Sequence, residues 1–275
     1  MRETRVQRWS ARLVMAGAVV AVLFPLAWVL RVATKTEDGF IREPASLVGE
    51  ITLANFAAAW SAVDLGGAIR DSLSITIPGA LLATVVGTLA GYAFAKLRLP
   101  VRRLLMGLAV GGLTIPVAAL VVPQFDQALD LGYLDTHIGL IVVYGSFFAS
   151  WTTLFFYSFF RDLPDDLLEA AAIDGATARQ GFRRIALPLA APAVAVGFVL
   201  NLFLQWSELL LGLIMLPSGD VRTAMTAVAS FSTQFRTGGP LTAAAAIIVA
   251  IPVFLLFIGA QRWLRAEIFG GSIKG

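Results

Sequence analysis

Glu169-Ala170-Ala171-Ala172-Ile173-Asp174-Gly175 and, after a gap of nine residues, Ile185-Ala186-Leu187-Pro188 form a run of mixed polarity inside a chain that otherwise reads as apolar spans. Pro164 suits the first turn of a helix, where its missing N–H would be unpaired anyway. Asp165 and Asp166 suit the positive end of the helix dipole, and Gly175 can close the helix in the left-handed conformation. Thr177 followed three residues later by Gln180 reads as a capping box, so a second helix starts there and continues through Phe182 and Ile185. Pro188 then marks a turn or the entry into the next span. The result is a compact helix pair over residues 162–186, with Leu167, Leu168, Ala171 and Ala172 along one side. It is too polar to lie in lipid and too apolar to stand free in water, which predicts that it docks into a partner.

Composition supports the same frame. Of 275 residues, 58% are hydrophobic and only 14% are charged, which places the chain in the membrane class. The basic excess is small, 21 Lys and Arg against 18 Asp and Glu, and the cations are scattered between apolar runs, so no nucleic-acid-binding face is expected. There are no cysteines and one histidine, His137, which excludes disulfides, thiolate chemistry and histidine clusters, and makes metal catalysis a poor expectation.

About 20 apolar residues cross the hydrocarbon of a bilayer. By that test the chain predicts six spans, at about 11–33, 72–95, 104–125, 138–160, 187–213 and 241–261. The fold class expected is therefore an all-α polytopic membrane protein in a single domain over 1–275. The basic start before the first span could also belong to a signal peptide, but the apolar run is long for one and no small-x-small site follows, so we read an uncleaved anchor. Residues 34–70 are polar and form the first outside segment, in which Leu53, Phe56 and Trp60 suggest an interfacial helix. The positive-inside rule orients the chain. Fifteen cations (Arg2, Arg5, Arg8, Arg12, Lys96, Arg98, Arg102, Arg103, Arg161, Arg179, Arg183, Arg184, Arg262, Arg265 and Lys274) fall in segments on the side of the termini, against six (Arg31, Lys35, Arg42, Arg70, Arg222 and Arg236) on the other. Both termini and the 162–186 loop are thus expected in the cytoplasm.

The residues also carry a resemblance. Glu169, Ala170, Ala171, Gly175, Ile185, Leu187 and Pro188 match at every fixed position the pattern of the cytoplasmic coupling loop of importer-type ABC permeases. Gly91-Tyr92-Ala93-Phe94-Ala95-Lys96-Leu97-Arg98-Leu99-Pro100 resembles the end of the second span in carbohydrate permeases of the maltose type. Leu131-Gly132-Tyr133-Leu134-Asp135-Thr136 with Gly139-Leu140 resembles their outside turn before the fourth span, and Gln261-Arg262 with Gly270 to Gly275 resembles the end of their second permease subunit. Two departures, Asp71-Ser72 for Asn-Ser and Trp206-Ser207-Glu208 for Trp-Asn-Asp or Trp-Asn-Glu, bear on substrate identity. The resemblance implies a type I importer permease in a bacterial or archaeal cytoplasmic membrane. Its partners would be a second permease subunit, two ATP-binding subunits and an extracytoplasmic solute-binding protein. Its cargo would be a sugar or oligosaccharide or, alternatively, a polyol or glycerol-phosphate type solute. ATP and magnesium would be held by the partner subunits, with no cofactor in this chain.

The chemistry absent from the sequence agrees. A phosphate-binding Walker loop needs Gly-Lys-Ser/Thr, but the three lysines follow Thr34, Ala95 and Ile273. There is no Gly-x-Ser-x-Gly elbow and no His-Glu-x-x-His, so a membrane hydrolase has little support. A secondary transporter would carry several intramembrane ionisable groups, whereas only Glu208 sits deep here. A purely structural membrane protein would not need Asn201, Gln205 and Glu208 within the fifth span. Their spacings of four and three residues place them on one helical face, which predicts either a translocation path or polar contacts that hold the bundle. Trp206 points away from that face and is a weaker candidate, at an interface or stacked on a sugar. Gly87-x-x-x-Gly91 and Gly107-x-x-x-Gly111 read as packing seams, and Pro78, Pro116 and Pro252 as kinks or breaks.

Overall fold

The computed structural model describes residues 5–234 and 239–270, with side chains described except at 5–8, 10, 232–234, 260 and 262–270. Arg2, Arg236, Lys274 and the Gly271–Gly275 part of the C-terminal resemblance lie outside the described residues. All regular structure among the described residues is helical: α1 (Arg5–Ala33), α2 (Glu37–Arg42), α3 (Ala54–Ala62), α4 (Leu65–Lys96), α5 (Arg102–Thr114), α6 (Val117–Asp130), α7 (His137–Arg161), α8 (Asp166–Ile173), α9 (Ala178–Gly181), a π-helical turn (Phe182–Ala186), α10 (Leu187–Leu189), α11 (Ala191–Trp206), α12 (Leu210–Met215), α13 (Ala224–Gln234) and α14 (Pro240–Gly270). Four of them are long and apolar enough to cross a bilayer singly, and two bent pairs, α5 with α6 and α9–α10 with α11, raise the number to six.

The third span carries the break expected at Pro116, whereas the bend in the fifth corrects the expectation of one span over 187–213. The third turns through 104° between Thr114 and Val117. Pro116 disfavours the helical conformation of the residue before it, and Ile115 (ψ 116°) and Pro116 (ψ 141°) are both extended. The fifth bends by 73° at Ala190 and ends at Trp206, so it does not run unbroken to 213. Pro78 and Pro252 behave differently and remain inside continuous helices.

The chain divides into two compact units, residues 1–66 with 227–251, and residues 67–226 with 252–275. In the first unit the segment after α1 is folded by polar contacts to main chain. Asn55 Nδ2 donates to Ala33 O and Lys35 O, both at 2.8 Å, and the buried Lys35 Nζ donates to Glu43 O (2.7 Å) and Pro44 O (2.9 Å). A helix is present around Phe56 and Trp60, as expected, and forms α3 with Leu53 at its N-cap. The small helix α2 was not anticipated. Its signal is local and legible, since Thr36 accepts from Gly39 N and Glu37 and Asp38 fill the first turn.

In the second unit α7 is the central element. Ile75 and Ala83 of α4, Val143, Tyr144 and Phe148 of α7, and Leu211 and Met215 of α12 form one apolar cluster, and Tyr92, Phe156, Phe160, Ala186, Ala190 and Ala193 form another. α4 reaches α7 through the seam read in the sequence: a Cβ added at Gly91 would stand 2.7 Å from Phe156 Cβ and from Tyr157 N, and one at Gly87 would stand 2.6 Å from Thr152 Cβ. Gly107 and Gly111 of α5 have nothing among the described residues within 4 Å of such an atom, so the second seam is not used among them.

This unit has two distinct ends. At one, Lys96 meets the segment that leaves α7. At the other, His137 Nε2 lies 3.3 Å from Asp71 Oδ1, Ala224 N donates to Ser72 Oγ (2.6 Å) and Ser218 Oγ donates to Asp135 Oδ1 (2.8 Å). The loops expected in the cytoplasm thus share one end of the unit, and those around 135 and 218 share the other.

Candidate functional site

The loop after α7 begins with Asp165 at the N-cap position of α8 and ends that helix at Asp174. Gly175 has φ +83°, in the left-handed region, and Ala176 N returns to Ala171 O (2.9 Å) and Gly175 N to Ala172 O (3.0 Å), which satisfies the last carbonyls of the helix. The capping box is formed on both sides: Gln180 N donates to Thr177 Oγ1 (3.3 Å) and Thr177 N donates to Gln180 Oε1 (2.7 Å). From there α9, the π turn and α10 continue into the bend before α11.

Only part of this loop is packed. Leu168, Phe182 and Ala186 join the aromatic cluster at the ends of α4 and α7, in which the Tyr92 ring lies 5.3 Å from Phe160, edge to face, and 4.7 Å from Phe182. The remainder faces outward. Glu169, Ala170, Gly175 and Pro188 are exposed, Ala171, Ile185 and Leu187 are half-buried, and Ile173 is 87% exposed. The stripe read as Leu167, Leu168, Ala171 and Ala172 is therefore split: Leu168 turns inward, while Leu167 and Ala172 turn out beside Ile173. Arg179, Arg183 and Arg184 with Thr177 and Gln180 border an open cleft of about 550 Å³ next to the acidic α8.

The polar residues of the fifth span do not form the single face that their spacing suggests. Asn201 is fully buried, with Nδ2 donating to Thr84 Oγ1 and Oδ1 accepting from Thr152 Oγ1, each at 3.1 Å, so it joins α11 to α4 and α7. Gln205, one turn further on, is only 1% exposed, and neither its Nε2 nor its Oε1 has a hydrogen-bond partner among the described residues. A Cβ at Gly79 would come within 2.5 Å of that Oε1, so the amide abuts α4 where that helix has no side chain. Glu208 lies beyond the end of α11. Its carboxylate accepts from the main-chain N–H groups of Leu210 (3.0 Å), Leu211 (2.9 Å) and Gly212 (3.3 Å), and the Tyr144 hydroxyl donates to it at 3.3 Å. It caps α12, where an acceptor at a helix start satisfies donors that have no intrahelical partner. Trp206 is buried rather than placed at an exposed interface. The sequence cue for the break was Ser207-Glu208 itself, an acceptor two residues ahead of a new apolar helix, masked by the apolar residues on either side.

Residues 83–269 match the model of the family described as binding-protein-dependent transport system inner membrane component. The chain belongs to this family. Among its relatives, the diacetylchitobiose uptake system permease protein NgcG of Streptomyces coelicolor is 33% identical over 258 residues, 93% of this chain and 85% of the relative. The trehalose transport system permease protein SugB of Mycobacterium tuberculosis is 32% identical over 255 residues, 92% of this chain and 93% of the relative. A bacterial ABC transporter involved in import of the acidic polysaccharide alginate contains a chain that superposes with a TM-score of 0.74 at 16% identity, covering 95% of this chain and 99% of that one. At that identity the superposition establishes the fold, that of an ABC importer permease. As an inner membrane transport component, this chain is a multi-pass membrane protein, in agreement with its six candidate spans.

Proposed function

We propose that this chain is the permease subunit of an ATP-driven importer for a sugar or oligosaccharide, forming half of a translocation path with a second permease. Two ATP-binding subunits would hold ATP and magnesium and seat the 162–186 loop, and an extracytoplasmic binding protein would deliver the solute. The observation that carries this reading is the loop itself: its inner side is pinned to the α4 and α7 ends by Leu168 and Phe182, while Ile173 and Glu169 stand outside the chain's own core. An apolar side chain as exposed as Ile173, on a helix closed at its C-terminal end by Gly175, fits a surface completed by another protein. The relatives that transport diacetylchitobiose and trehalose support the solute class.

The test is purification of the assembled complex and measurement of its ATP turnover with and without solute-loaded binding protein, together with disaccharide uptake by cells lacking this chain. A co-purified ATPase stimulated by the loaded binding protein and a lost disaccharide uptake are expected. An ATPase that does not co-purify, or full uptake of every sugar tested, overturns the reading.

The orientation has its own test, because the cysteine-free chain accepts single reporters. Arg179→Cys is expected to resist a membrane-impermeant thiol reagent in intact cells, and Val48→Cys, at an exposed position of the first outside segment, to react. The reverse pattern would invert the topology.

Within the path, Gln205 is the residue we assign to the solute, and Asn201 to the bundle. A buried amide without partners costs about 1–3 kcal/mol, so the resting fold gains nothing from Gln205. Gln205→Leu is expected to leave the complex as stable or more stable while lowering transport severalfold. Asn201→Leu should cost about 1 kcal/mol, the scale of two hydrogen bonds between membrane helices, and leave solute preference unchanged. Uptake assays and thermal melts of both variants decide, and unaltered transport in stable Gln205→Leu removes it from the path.

A further inference from the structure

α8 is joined by the chain to α7 on one side and, through α9 and the π turn, to α11 on the other. α4 has no such covalent link to it, since after Lys96 the chain leaves towards α5. Yet the last residue of α4 grips this loop. Lys96 Nζ donates to Leu163 O at 2.6 Å and to Asp165 Oδ1 at 2.5 Å, and its side chain is 5% exposed although Asp165 is 72% exposed. Asp165 occupies the N-cap position of α8 but makes no side-chain cap bond, so its carboxylate is directed to the ammonium instead. The ammonium thus bridges a carbonyl just past the negative end of α7 and the acidic start of α8, where each helix end favours the charge it meets. Tyr92, one turn earlier on the same face of α4, stands against Phe160 and Phe182. Ring contacts of that kind can slide. Short charge-assisted hydrogen bonds are directional, and they fix the position of the helix end.

We propose that Lys96 is a positioning residue that makes α4 move with the 162–186 loop, so that a displacement of the loop by the ATPase reaches α4 directly as well as α7 and α11. α4 then carries it to Gly79, where that helix abuts the Gln205 amide. The proposal rests on the loop being the ATPase contact. Coupling between sites in a protein commonly amounts to about 5–150-fold. In the assembled complex in lipid vesicles, Lys96→Met is therefore expected to lower solute moved per ATP hydrolysed by about tenfold or more, with the ATPase still bound. Lys96→Arg, which keeps a buried donor cation, should restore most of the ratio. Asp165→Asn, which leaves the Leu163 carbonyl bond in place, should lower it less than Lys96→Met does.

A normal transport-to-hydrolysis ratio in assembled Lys96→Met overturns the proposal, as does an equal loss in Lys96→Met and Lys96→Arg. If Lys96→Met does not assemble, Asp165→Ala at its exposed position decides, and a normal ratio there also overturns it. Gly175→Asp separates this failure from that of the parent reading. An uncoupled Gly175→Asp beside a fully coupled Lys96→Met sinks the Lys96 role alone, whereas a fully coupled Gly175→Asp sinks the loop assignment.

Discussion

Gly175→Asp is expected to reduce coupled solute uptake by at least about tenfold, within the range of intersite coupling in proteins, while the chain inserts and folds as before. Gly175 has φ +83° and nothing within 4 Å of an added Cβ, so the chain itself has room for a side chain there. The conformational penalty is about 1–2 kcal/mol for an ordinary residue and less for Asp or Asn, whose short polar side chains visit the left-handed region. The fold therefore tolerates the change. What changes is the outward surface beside Ile173, where a carboxylate would enter the contact with a partner at a cost well above the backbone term if it is desolvated there. Uptake into vesicles and ATP turnover of the same preparation check this. Gly175→Asn, neutral and equally able to adopt the left-handed conformation, should retain more activity than Gly175→Asp. Normal uptake in Gly175→Asp shows that this surface is not a coupling contact.

Gly91→Val should have the largest effect on the fold. The added atoms would start 2.7 Å from Phe156 Cβ and Tyr157 N and 2.8 Å from Phe156 C, and two of these three are main-chain atoms of α7 that no rotamer change can move. Overpacking of a filled interior costs about 1–3 kcal/mol and more where the backbone must shift. Separating α4 from α7 would also weaken the neighbouring contact of Tyr92 with Phe160. A clear fall in melting temperature and in the amount of inserted protein is expected. Gly107→Val supplies the comparison, since it carries the same change on an apolar helix with no described residue within 4 Å. Equal melting of the two variants would show that the α4–α7 approach does not limit stability.

Much of the fold and of the loop depends on neighbours in sequence, and that part is legible without coordinates. The six apolar stretches follow from the length of chain that a bilayer requires. The capping box of Thr177 and Gln180, the left-handed Gly175 and the helix α3 each involve groups within a few residues of one another, so spacing alone specifies them. The seam at Gly87 and Gly91 was also visible, but so was an identical one at Gly107 and Gly111, and only the partner helix distinguishes them.

Tertiary structure decided the rest, because the deciding contacts join residues far apart in the chain. Helical periodicity put Asn201, Gln205 and Glu208 on one face, but the helix stops at Trp206, and the Glu208 carboxylate is taken up by the N–H groups of α12 and by Tyr144, 64 residues away. The two buried amides look alike in sequence. Thr84 and Thr152 satisfy Asn201, and no described residue satisfies Gln205, a difference set by where α4 and α7 lie. Lys96 counted in the sequence as one more cytoplasmic cation, and its grip on Leu163 and Asp165 exists only because α4 and α7 end side by side. Local chemistry therefore determined which segments are helical and where the exposed loop turns. Long-range packing determined which polar groups are already satisfied, and so which remain free to act.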